Sequence, residues 1–131
     1  MTDAKNESGQ LAWIDLTVNN AVEIKNFYQQ VIGWREHQVD MGEYSDFAMM
    51  PSETDDAVAG ICHAKGPNQD LPAVWLPYFL VEDLDAAVEQ TRQNGGKCLT
   101  EVKAMGADKF VVIQDPAGAS CALYQKGQST G

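Results

Sequence analysis

An α+β fold is predicted: two β-α-β-β-β modules in one chain, forming a curved mixed sheet around a central cavity with the helices outside. Three observations predict it. Residues 11–18 (LAWIDLTV) alternate with the period of a strand and run directly into a capped, amphipathic helical stretch. The same order of elements recurs in the second half of the chain. Val18 with Asn20 lines up with Val81 and Asp83, and Gly33 with Gly96, each displaced by about 63 positions, as an internal duplication leaves them.

The elements follow in order. Leu11, Trp13, Asp15 and Thr17 alternate with Ala12, Ile14, Leu16 and Val18, so the first strand has one apolar face and one mixed face. Asn20 and Glu23 have capping-box spacing, and Ala21, Ile24, Phe27, Val31 and Ile32 form a helical stripe that Gly33 ends. Residues 35–40 and 43–50 read as strands joined at Met41-Gly42, followed by a polar loop to 56 and a strand over 57–63. Gly66, Pro67 and Pro72 interrupt the pattern. A strand over 74–81 then precedes a helix capped by Asp83, with Asp85 in its positive first turn and Gly95-Gly96 at its end. Residues 97–102 and 109–114 read as strands around Met105-Gly106, and the Asp115-Pro116-Ala117-Gly118 turn leads into a last strand over 120–125. The expected organisation is one domain: a tail at 1–8, a first module at 9–66, a linker at 67–73, a second module at 74–126 and a tail at 127–131. A sheet packed on one helix keeps one bare face, so two modules must pair and enclose a cavity.

Composition narrows the function. The chain has 131 residues, 44% of them hydrophobic, enough for a core without disulfides or metal staples. Its formal net charge of −10 repels phosphate backbones and anionic headgroups, so neither nucleic acid nor a membrane is an expected partner. The polar N-terminus has no apolar signal segment, and the apolar run at 74–81 is too short to span a bilayer. Three widely spaced cysteines without a CxxC read as free thiols in a reducing compartment, which places the protein in the cytoplasm.

Trp13, Asp15, Leu16, Phe27, Tyr28, Gly33 and Trp34 together resemble the opening of the vicinal oxygen chelate superfamily, the glyoxalase, bleomycin-resistance and dioxygenase group, and within it the subgroup related to lactoylglutathione lyase. Trp75, Tyr78, Val81 and Asp83, and then Asp115, Pro116 and Gly118, extend the likeness over both halves. The resemblance implies a divalent metal held by side chains from the first and last strand of each module. Those positions fall on Trp13, Gly60, Leu76 and Ala122, none of which ligates, so no metal and no other cofactor is expected. Only two histidines are present, with no HxH or HxxxH.

Trp13 and Asp15 share the cavity face of their strand, Leu76, Tyr78 and Leu80 line the opposite wall, and Ser120, Ala122 and Tyr124 add another. Trp13, Tyr78 and Tyr124 on these walls, with Trp75 from the matched run as a further stacking residue, are the candidate binding residues, joined by His63 at a strand end, and Asp15 is the candidate catalytic acid or base. Cys62 shares parity with Gly60 and faces the cavity, whereas Cys121 faces the helix. Three readings remain open. One is a metal-independent protein binding a flat small molecule, the second a metal-independent lyase or isomerase using Asp15, and the third an interaction domain whose cavity is filled. A homodimer is expected in each.

Overall fold

The computed structural model of the chain describes residues 8–127. The expected tails at 1–8 and 127–131 therefore lie almost wholly outside the described residues. The chain divides into two compact units, one covering Trp13–Trp75 and the other joining the segment up to Ala12 with the chain from Leu76 onward. Each has the predicted α+β make-up.

The first unit contains most of β1 (Leu11–Val18), then α1 (Ala21–Ile32), β2 (Arg35–Asp40), β3 (Ser45–Met50) and β4 (Ala59–His63). Its strand order is β2-β3-β4-β1, antiparallel except where β4 runs parallel to β1. Phe47, Met49 and Ile61 project from one face and pack with Ala21 of α1, Met49, Ile61 and Ala21 being 0% exposed. Burying side chains of this size contributes roughly 1.5–3 kcal/mol each, which anchors the helix on that face. Gly33 closes α1 in the left-handed conformation, φ 89°, and its N–H donates to the Gln29 carbonyl at 2.9 Å.

The start of α1 departs from the expected capping box. Asn20 sits at ψ 57°, outside the extended conformation that aims a cap side chain at the free amides, and its Nδ2 donates to Glu23 Oε1 at 3.1 Å. Asp83 has the extended backbone (φ −136°, ψ 105°), and its carboxylate accepts from the Ala86 N–H at 3.2 Å.

The second unit holds β5 (Trp75–Leu80, from Leu76), α2 (Leu84–Gln93), β6 (Lys97–Cys98), β7 (Lys103–Met105), β8 (Asp108–Gln114) and β9 (Ser120–Gln125). β5 runs parallel to β9, β9 antiparallel to β8, and β6 and β7 both lie on the far edge of β8. The strand expected over 97–102 is broken. Cys98 pairs with Ile113 and Lys103 with Phe110, so the edge strand carries two more residues than its partner over that interval. The excess bulges out as 99–102, and the Thr100 hydroxyl accepts the Val112 N–H at 3.1 Å in place of a ladder carbonyl. Leu84, Val111 and Ile113 form the core under α2, with Cys121 and Leu123 against them. Among the described residues no helix is long and apolar enough to cross a membrane.

Candidate functional site

Strand register defines the face of the first unit turned away from α1. Asp15 lies opposite Gly60, Thr17 opposite Cys62, and Ala48 opposite Gly60 from the other side, so alternation puts Asp15, Thr17, Gly60, Cys62, Asp46 and Ala48 on one surface. Trp13 joins them from two residues before Asp15. Its Nε1 donates to Asp15 Oδ1 at 2.5 Å, and Asp15 is half-buried.

Glycine at position 60 is what makes room. A Cβ there would stand 2.2 Å from Asp15 Oδ1 and 3.3 Å from Trp13 Nε1. The indole and carboxylate thus occupy the space a side chain on β4 would need. Burial raises the Asp15 carboxyl from 3.8 to about 6, the Trp13 hydrogen bond opposes that rise, and the charge of Asp46 adds to it. Asp15 is therefore a carboxylate that titrates close to neutrality.

The same acidic surroundings act on Cys62. Burial first, then the charges of Asp15 and Asp46 and a hydrogen bond to Asp46, push its thiol far above the ordinary range. Cys62 is accordingly expected to react with iodoacetamide at pH 8 at least tenfold more slowly than glutathione, about one pKa unit of thiolate loss, and to speed up in Asp46→Asn. Peptide mapping after timed quenching reads the rate. A Cys62 that alkylates as fast as glutathione would contradict the electrostatics.

The other predicted residues lie in three further places. His63 turns to the α1 side, against the rings of Tyr44 and Phe47, at centroid distances of 5.1 and 6.2 Å. Its Nδ1 is 3.2 Å from Asp46 Oδ1, and the same oxygen accepts the His63 backbone N–H at 2.8 Å. Trp75 also lies on the helix side, where its Nε1 donates to the Tyr28 hydroxyl at 3.2 Å and its ring meets Trp34 at 6.0 Å. Tyr78 and Tyr124 belong to the second unit, where they meet with ring centroids 6.5 Å apart beside Phe110. The Tyr124 hydroxyl donates to Asp108, and burial together with that carboxylate raises the phenol to about 12. Asp108 is held below its ordinary value, first by the Gly127 amide and then by Tyr124.

Of the sequence-predicted set, then, the structure brings together Trp13 with Asp15 and Tyr78 with Tyr124. Leu76 and Ala122 lie on the Tyr78 face, as strand alternation and the Tyr78–Ala122 pairing require. Among the described residues no three His, Cys, Asp or Glu side chains gather as a metal-holding group.

Comparison with known proteins bears on this geometry. The model of the Glyoxalase/Bleomycin resistance protein/Dioxygenase superfamily matches residues 10–123. The chain belongs to that superfamily. It is 30% identical to the anthracycline biosynthesis protein DnrV of Streptomyces peucetius, over 94% of this chain and 49% of that protein. It is 28% identical to the putative glyoxylase CFP32 of Mycobacterium tuberculosis, over 91% of this chain and 46% of that one. The chain thus spans about half the length of the curated relatives it matches. Among solved structures, methylmalonyl-CoA epimerase from Mycobacterium tuberculosis superposes with a TM-score of 0.54 at 16% identity, covering 98% of this chain and 94% of that one. That likeness speaks to the fold.

Two features of this superfamily member lie beyond what the sequence pattern points to. Asp46 is 6% exposed and acts on Asp15, Cys62 and His63 together. Its sequence signal is a lone carboxylate directly before the apolar run FAMM of β3. The contact of Tyr28 and Trp34 with Trp75 carried no such signal, because it joins a helix, a strand start and a residue 41 positions beyond Trp34.

Proposed function

We propose that this chain is a small-molecule-binding member of the superfamily that works without the divalent metal, taking its ligand on the face that carries Trp13 and Asp15. One observation carries the reading. A half-buried carboxylate, titrating near 6, is held beside an indole over a glycine that leaves it room. Such a pair offers a flat aromatic surface and one negative group, which suits a planar ligand bearing a cation or a strong hydrogen-bond donor. The metal does not fit the donor chemistry: an indole, a bare Cα, an isobutyl group and a methyl stand at Trp13, Gly60, Leu76 and Ala122. The naming of DnrV for anthracycline biosynthesis supports a polycyclic aromatic ligand. Three free cysteines support a reducing, cytoplasmic setting, and the reading includes a homodimer.

Isothermal titration with an amino-sugar anthracycline tests this. Saturable binding is expected, tightening about tenfold from pH 5 to pH 7.5 as Asp15 ionises, and unchanged by EDTA. Asp15→Asn should abolish the pH dependence, and Trp13→Leu should weaken binding about tenfold through lost stacking. Affinity indifferent to both substitutions, or dependent on added metal, would sink the reading.

The value near 6 also favours a second reading, in which Asp15 removes a proton next to a carbonyl, since a carboxylate made more basic than usual is the better base. Deuterium uptake from solvent into a ketone, with an apparent pKa near 6 and lost in Asp15→Asn, would decide for catalysis.

A further inference from the structure

The opposite side of the same sheet holds a cavity that neither reading uses. It has a volume of about 300 Å³ and is lined by Ile14, Tyr28, Trp34, Val58, Ala59 and Trp75, with Ile32 at its border. Three aromatic rings make one wall: Trp75 stands edge-on to Tyr28 at 5.3 Å and 78° and to Trp34 at 6.0 Å and 69°. Ile32 and Val58, 52% and 44% exposed, mark its solvent side.

One polar contact in this apolar lining has a fixed direction. An indole N–H only donates, so in the 3.2 Å contact between Trp75 Nε1 and the Tyr28 hydroxyl the tyrosine oxygen is the acceptor. The tyrosine's own proton is left over, with no acceptor among the described residues. A half-buried donor without a partner favours whatever supplies an acceptor there.

We propose that this cavity is a second binding site, for a flat aromatic molecule of about two fused rings that carries one acceptor oxygen and takes the Tyr28 proton. Volume, aromatic walls and a placed hydroxyl donor are the usual make-up of a small-ligand pocket. Ile14 and Ala59 directly precede Asp15 and Gly60 in their strands, so the two sites lie back to back on β1 and β4. The second stands whether or not the first binds anything.

The three tryptophan indole N–H signals report it separately, Trp34 and Trp75 at the cavity and Trp13 on the other face. Titration of the ¹⁵N-labelled protein with 2-acetylnaphthalene should shift the Trp34 and Trp75 signals saturably and leave Trp13 in place. 2-Ethylnaphthalene, which lacks the acceptor, should bind at least fivefold more weakly, and Tyr28→Phe should erase that difference. Val58→Trp, which fills the entrance from an exposed position and so spares the fold, should abolish the shifts. The proposal is overturned if both naphthalenes bind equally to the unaltered protein, if Trp13 alone responds, or if binding survives Val58→Trp. It is equally overturned if Trp34 and Trp75 shift with protein concentration and the probe does not compete, since a second copy then covers the cavity.

Discussion

Replacing Asp15 with asparagine is expected to stabilise the protein by about 2–3 kcal/mol at pH 7.5, with most of the difference gone at pH 4. The sign follows from the carboxyl's higher affinity for its proton in the folded state, about 6 against 3.8 in an unfolded chain. Between those values the folded protein holds more protons than the unfolded one, so stability falls as pH rises. The contribution is fully present below 3.8 and lost as pH climbs through 6. Asparagine has the same shape, keeps an oxygen for the Trp13 N–H, and cannot ionise, so it removes the penalty and its pH dependence together. Urea denaturation of both proteins from pH 4 to 8 gives the difference curve, and a rise in melting temperature of roughly 8–12 °C at pH 7.5 accompanies it. A difference that is flat with pH would show that the carboxyl binds its proton equally in both states, and a variant whose destabilisation grows as pH rises would show that Asp15 stabilises the fold as an ion. The expected outcome is instead that of a site residue whose charge is kept at the expense of stability.

Gly60→Ala should have the largest destabilising effect, about 2–3 kcal/mol, because the added methyl falls 2.2 Å from Asp15 Oδ1. Real Cβ atoms do not approach that closely, and the neighbour is a short side chain on a paired strand with little freedom to retreat. The cost is therefore specific to one partner. In an Asp15→Ala background the same substitution should cost less than about 1 kcal/mol, leaving a coupling above about 1 kcal/mol in the double-mutant cycle. An equal cost in both backgrounds would mean that backbone freedom at position 60, and not the carboxylate, requires glycine.

Local chemistry made much of this molecule legible in advance. Asp83, Gly33 and the alternation of residues 11–18 act through neighbours within four residues, and the structure has them in the predicted roles. Asn20 shows the limit of that logic, since its residue type suits a cap and its backbone does not. The parity that put Trp13 beside Asp15 is a property of one strand. Parity along β5 separates Trp75 from Tyr78 as well, three residues apart, and which partner each then meets depends on elements far away in sequence. The fit of Asp15 over Gly60 is of that second kind: 45 residues separate them, and only the β1–β4 register brings them together. Asp46 was readable as an oddity directly before an apolar run, but its three neighbours were not.

The break between β6 and β7 carries a consequence for how the protein behaves in a crowded solution. An unbroken outer strand would offer a row of free amides and carbonyls to any extended chain drifting past, the first step of sheet growth between molecules. Here two surplus residues throw that row out of line, and the Thr100 hydroxyl accepts the Val112 N–H of the inner strand β8 where the outer strand is broken. In the first unit the outer strand β2 relies on charge instead, with Arg35 and Asp40 exposed along it. Each unit thus has an outer strand that resists aggregation by its own means, one by geometry and one by electrostatics.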